Sequence, residues 1–164
     1  MSEPGRVEAR LAELALELPG PTRAPQGVVL PYRFVRVSGN RAFVSGHGPL
    51  QLDGRVAPPL GKVGRDLSVE QGYAAARLTG LAILGSLRRE LGSLDRVARW
   101  LRVFGMVNCA PGFNVTPAVV NGFSDLILDL WGPERGAHAR SAVGMAELPF
   151  DIPVEIEAEV EIEA

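Results

Sequence analysis

Apolar residues recur at Val7, Leu11, Leu14 and Leu18, the spacing of one face of a helix. The pattern predicts a short amphipathic helix that Pro19-Gly20-Pro21 brings to an end. From there to Pro31 the chain is rich in Pro and Gly and has no period, as a connection running over a surface does. Residues 1–31 are therefore expected to precede a main domain that occupies 32–164.

Inside that domain, Tyr32 to Val37 and Arg41 to Ser45 are expected to be strands, joined across Ser38-Gly39-Asn40, whose residue types suit a tight hairpin. Gly48 to Asp66 carries Gly and Pro without a period and is expected to be a long loop. Ser68, with Gln71 three residues on, forms a capping-box pattern; Val69, Tyr73, Ala76, Gly80, Ile83, Leu87 and Leu91 then hold one helical face as far as Gly92, a natural stop. Val97 to Val107 is rich in strand-forming residues yet includes Arg99 and Arg102, so it is expected to be a strand with one face partly wet. Thr116 is placed to cap a second long helix with Pro117 at its first position, and Val119, Val120, Phe123, Leu126, Ile127 and Leu130 supply a buried stripe before Gly132 ends it.

The last segment alternates most strictly: Val154, Ile156, Ala158, Val160 and Ile162 are separated by Glu155, Glu157, Glu159 and Glu161, with Glu163 following. Such a strand has one apolar and one acidic face. Ala139 to Leu148 is expected to be its partner strand, with Pro149-Phe150-Asp151 as the turn. The order strand, strand, helix, strand, helix, strand, strand predicts an α+β domain in which both long helices are free to cover one face of the sheet.

Composition narrows the class without changing this picture. A chain of 164 residues, 46% hydrophobic and with a net charge of −2, is an ordinary single globular domain. Its apolar stretches fall short of the roughly 20 residues that a membrane-spanning helix needs. Met1 to Arg10 carries Glu3 and Glu8 and leads into no apolar core of a secretory signal, so a cytoplasmic location is expected. Cys109, the only cysteine, excludes an internal disulfide and a Cys-cluster metal site, and is expected to be a small structural residue in a turn.

Several familiar motifs fail on spacing. Gly61-Lys62 would end a phosphate-binding loop only with a Gly where Val56 stands and a Ser or Thr where Val63 stands. His47 and His138 have no ligand spacing to carboxylates, so no metal site is expected, and no Gly-x-Ser-x-Gly turn exists for a serine nucleophile. Arg88, Arg89, Arg96, Arg99 and Arg102 are close in sequence, but the chain is slightly acidic overall and its aromatics are not interleaved with them. A solvated face is expected there rather than a nucleic-acid surface.

Ala139-Arg140-Ser141-Ala142-Val143, then Leu148-Pro149, then Val154-Glu155-Ile156-Glu157-Ala158, resembles the C-terminal signature of the RidA family, also called YjgF or L-PSP. Tyr32, Gly39-Asn40, Val44-Ser45-Gly46 and Val120-Asn121 keep that family's order, and the resemblance runs from about Tyr32 to Ile162. It implies a chorismate-mutase-like fold, a mixed sheet with two long helices on one face, assembled as a homotrimer with clefts between subunits. It further implies hydrolysis of reactive enamines and imines to 2-keto acids and ammonia, with no metal and no organic cofactor. In that scheme Arg140 grips a substrate carboxylate through two parallel hydrogen bonds, and Glu155 holds or activates the attacking water. Tyr32 and Asn121 contact polar atoms of the substrate, while Ser45 and Ala142 line the pocket. By residue type alone, the favoured reading of Arg140 is an interface salt bridge to one of the strand glutamates, and Tyr32, Ser45 and Asn121 are ordinary structural residues. Ala142 stands where the family commonly has Cys, and His47 where Gln often follows the Ser-Gly. These departures keep open a trimeric protein that binds a keto acid or similar metabolite without chemistry, and endoribonuclease-like activity is a third possibility.

Overall fold

The computed structural model describes residues 5–163. Five strands form one mixed sheet in the order β1-β2-β5-β3-β4: β1 (Val35–Ser38), β2 (Arg41–His47), β3 (Val97–Asn108), β4 (Ala139–Met145) and β5 (Val154–Ile162). All neighbours are antiparallel except β3 and β4, which are parallel. Two long helices, α2 (Val69–Leu91) and α3 (Thr116–Gly136), pack side by side on one face, and a short helix, α1 (Arg6–Glu13), leads the chain.

The hairpin is as tight as its residues allow. Ser38 pairs with Arg41, so Gly39-Asn40 is the whole loop, and Gly39 takes the positive φ of 59° that the first position of such a turn reserves for glycine. The first strand starts later than expected, at Val35, which leaves Tyr32 just ahead of it, half exposed and edge-on to Phe34.

The capping box on α2 forms in full: Gln71 N–H donates to Ser68 Oγ, and Ser68 N–H to Gln71 Oε1. Ile83, Leu84 and Leu87 are wholly buried beneath it, each contributing roughly 1.5–3 kcal/mol of burial. The two long helices meet closely because Gly122 has no side chain; a Cβ there would lie 2.0 Å from the Tyr73 carbonyl oxygen.

Three expectations require correction. Leu18 is not helical: the first helix ends at Glu13, because Ala15 turns left-handed at φ 52° and Leu16 N–H closes back on the Leu11 carbonyl. Leu14, Leu16 and Leu18 still pack on the core, from non-helical chain. Thr116 does not cap α3; Val115 holds that place, and the Thr116 hydroxyl donates instead to the Ala142 carbonyl at 3.0 Å. The penultimate strand is not hydrogen-bonded to the last: β3 lies between them, paired with both. The expected break at Gly132 is present, at φ 73° and ψ 174° inside α3.

Alternation on β5 sorts the sheet faces. Val154, Ile156, Ala158, Val160 and Ile162 point into the core, while the glutamates lie on the face that no helix covers. Among the described residues no helix is long and apolar enough to cross a membrane.

Candidate functional site

Arg140 lies on β4, an edge strand, opposite Val103 of β3. Val103 is fully buried beneath the helices, so Arg140 also belongs to the helical side, where it reaches the flank of α3. One terminal nitrogen, NH1, donates to Asn121 Oδ1 at 2.9 Å and to Ser124 Oγ at 3.0 Å. Asn121 and Ser124 are one helical turn apart and therefore present neighbouring side chains. No carboxylate lies within ion-pair distance of Arg140 among the described residues. Ala142 follows on the same side of β4, its carbonyl held by Thr116.

Glu155 belongs to the other face and the other half of the sheet. Between Val44 and His47 the β2–β5 pairing slips by one residue, so that Ser45 and Gly46 bulge outward. The Glu155 carboxylate lies against that bulge; a Cβ on Gly46 would stand 2.1 Å from its Oε1. Burial, and then the neighbouring Glu157, push the Glu155 pKa above the ordinary carboxylate value. Glu159 and Glu161 are instead paired at 2.8 Å with Arg41 and Arg99. Ser45 donates its hydroxyl to the Arg33 carbonyl at 2.8 Å, which ties the bulge to the segment carrying Tyr32.

His47 is a core residue, 3% exposed. Its Nδ1 lies 2.6 Å from the Ser45 carbonyl and its Nε2 2.8 Å from Ser86 Oγ, which also accepts from Arg89 at 3.0 Å. Burial brings its pKa down to about 4, so the imidazole is neutral and braces the bulge from behind.

The residues singled out in the sequence thus fall into two groups. Arg140, Asn121 and Ala142 gather at the β4–α3 edge, whereas Tyr32, Ser45 and Glu155 gather where β2 meets the start of β5. From β4 to β2 is three strand spacings, about 14 Å, and Arg140 and Glu155 face opposite sides of the sheet. Sequence reasoning missed Ser124 and His138, which complete the hydrogen bonding around Arg140. The signal was available: Ser124 follows Asn121 by one helical turn, and His138 stands two residues before Arg140, on the same side of an extended chain.

Residues 8–154 match the sequence profile of a family described as "YjgF/chorismate_mutase-like, putative endoribonuclease". Protein TCP17 of Trypanosoma cruzi is 41% identical over 158 residues, covering 96% of this chain and 95% of that protein. The crystal structure of Atu1372 from Agrobacterium tumefaciens, described as of unknown function, superimposes with a TM-score of 0.84 at 40% identity, over 96% of this chain and 92% of that one. A Shewanella oneidensis protein described as "a putative endoribonuclease" gives 0.86 at 29% identity, over 96% of this chain and all of its own, 100%.

Proposed function

The chain belongs to the YjgF/chorismate-mutase-like family, and on that premise we propose that it hydrolyses reactive 2-imino and enamino acids to 2-keto acids and ammonia, in a cleft completed by a second copy of the chain. The observation that carries the proposal is Arg140: a guanidinium that, among the described residues, has no ion-pair partner and is anchored through NH1 alone. Its Nε–NH2 edge is left as a two-pronged donor, which a substrate carboxylate fits.

Water adds across the C=N bond of the bound imine: its oxygen bonds to carbon, and one of its protons passes through Glu155 to the imine nitrogen, giving a neutral carbinolamine. Glu155 then takes the carbinolamine's hydroxyl proton as that oxygen becomes the keto oxygen and hands it to the nitrogen as the C–N bond breaks, so that ammonia leaves and the carboxylate is restored. A carboxyl group with a raised pKa is suited to both directions of that transfer. Arg140 and Glu155 lie on opposite faces of one chain, so the reaction requires Arg140, Asn121 and Ala142 of one subunit to face Tyr32, Ser45 and Glu155 of another. A homotrimer supplies that arrangement three times. No metal or organic cofactor enters the scheme, and the cytoplasm, where enzyme-generated imines arise, is the proposed location.

The test is release of 2-keto acid from short-lived imines generated in place by an amino-acid oxidase. Wild type should accelerate release, and Arg140→Ala should lower kcat/KM by about a hundredfold, the scale of a bidentate charged contact. Equal rates with and without the protein would refute the deaminase. Cleavage of RNA that weakens steeply with salt would point instead to the nuclease label carried by the family description.

A further inference from the structure

Arg140 is the head of a longer chain of hydrogen bonds. Ser124 Oγ, which accepts from its NH1, is also 3.0 Å from Nε2 of His138, and Nδ1 of His138 is 2.8 Å from the Gly136 carbonyl oxygen. A carbonyl only accepts, so Nδ1 carries a proton; a guanidinium only donates, so Ser124 meets Arg140 with a lone pair and keeps its own proton for Nε2. The polarity runs one way from Arg140 to Ser124 to His138 to Gly136, and it closes only with a neutral imidazole.

The surroundings favour that neutral form. The ring packs edge-on to Phe123 at 6.0 Å, and burial, then the positive charge of Arg140, hold the His138 pKa below its ordinary value. On α3, uncharged Ser124 hydrogen-bonds the ring and Phe123 packs against it; Asp125 is turned onto Tyr73, and Arg135 onto the carbonyls of Val97 and Ala98. From β3, Arg102 is level with Ala139 but lies on the open face opposite Glu159. The charged group that faces His138 is Arg140 itself.

We propose that Ser124 and His138 are positioning residues for Arg140, a brace that aims the free Nε–NH2 edge of the guanidinium at the substrate carboxylate and slackens when the imidazole takes a proton. The inference rests on the carboxylate-clamp role given to Arg140 above. With NH1 committed to Asn121 and Ser124, rotation of the guanidinium is arrested. A proton on Nε2 turns that atom from acceptor to donor: Ser124 then faces two cations, and its own proton loses its acceptor.

Two readouts separate the brace from the clamp. The first is the Arg140 Nε–H resonance of the isotope-labelled full-length protein between pH 5 and 8; the second is calorimetric titration with 2-oxobutyrate as the probe over the same range. In wild type the resonance should be sharp at pH 8 and broaden as acid protonates His138, at a pH below that at which an ordinary histidine titrates, with binding weakening about tenfold alongside. Ser124→Ala should be broad throughout and bind about tenfold more weakly, with no acid limb. Ser124→Thr, which keeps the hydroxyl, should restore both, and His138→Gln should remain sharp in acid. A Ser124→Ala protein with the wild-type resonance and pH response overturns the brace whether or not the probe binds. A brace that responds as expected in a protein that binds no 2-oxobutyrate upholds the positioning of Arg140 and overturns its role as a carboxylate clamp.

Discussion

Glu155 and Glu161 hold equivalent places in the alternation of β5, but their surroundings differ: Glu161 pairs with Arg99 at 2.8 Å, while Glu155 has no cation partner among the described residues and lies against the bare backbone of Gly46. Desolvation without a compensating charge raises a carboxyl pKa, and that marks Glu155 out from its row. His47 shows burial acting with the opposite sign on a base. The unfolded chain takes up a proton near 6.5, which the folded protein resists until about 4. The resulting stability is fully present above 6.5 and is lost as pH falls through that window, about 3 kcal/mol in all. Urea unfolding at pH 7, 5.5 and 4 should show His47→Gln losing that much less stability than wild type over the range. Parallel losses in the two proteins would mean that His47 is already charged, or already wet, in the folded state.

At the scale of elements, α2 was legible because its start and stop are local chemistry: a capping box at Ser68 and a glycine at Gly92. The end of α1 was not, since Leu14 and Leu18 continue the helical spacing by coincidence and reach the core from non-helical chain. What stops the helix is the left-handed residue Ala15, a conformation that costs a non-glycine residue about 1 kcal/mol. Ala15→Gly is therefore expected to stabilise the protein by up to about 1 kcal/mol in denaturant titration; a destabilised variant would show that packing, not backbone conformation, sets this corner. The pairing of β4 was illegible for a different reason. Alternation tells which face a residue occupies, and it carries no information on which strand lies alongside.

The whole molecule divides its candidate site between the two faces of one sheet, so under the proposed mechanism activity is a property of the assembly. Mixing provides the test. Arg140→Ala and Glu155→Gln subunits, each strongly impaired alone, should regain activity when unfolded and refolded together. Random mixing puts an intact Arg140 beside an intact Glu155 in about one cleft in four, so about a quarter of the wild-type rate is expected. No recovery from correctly assembled mixed oligomers would place both residues in clefts made by a single chain, against the geometry of the two faces.

The sequence by itself determined the order of the elements, the extent of α2 and the inward faces of the strands, because caps, glycine stops and hydrophobic period act within a few residues. It also marked Arg140, Asn121 and Glu155 through short patterns resembling a family. Only the tertiary structure decided that β3 separates β4 from β5, that His47 is a buried brace, that Ser124 and His138 complete the hold on Arg140, and that Arg140 and Glu155 face away from each other. Those outcomes depend on which distant segments meet, and on what a side chain loses in solvent and gains in partners when they do.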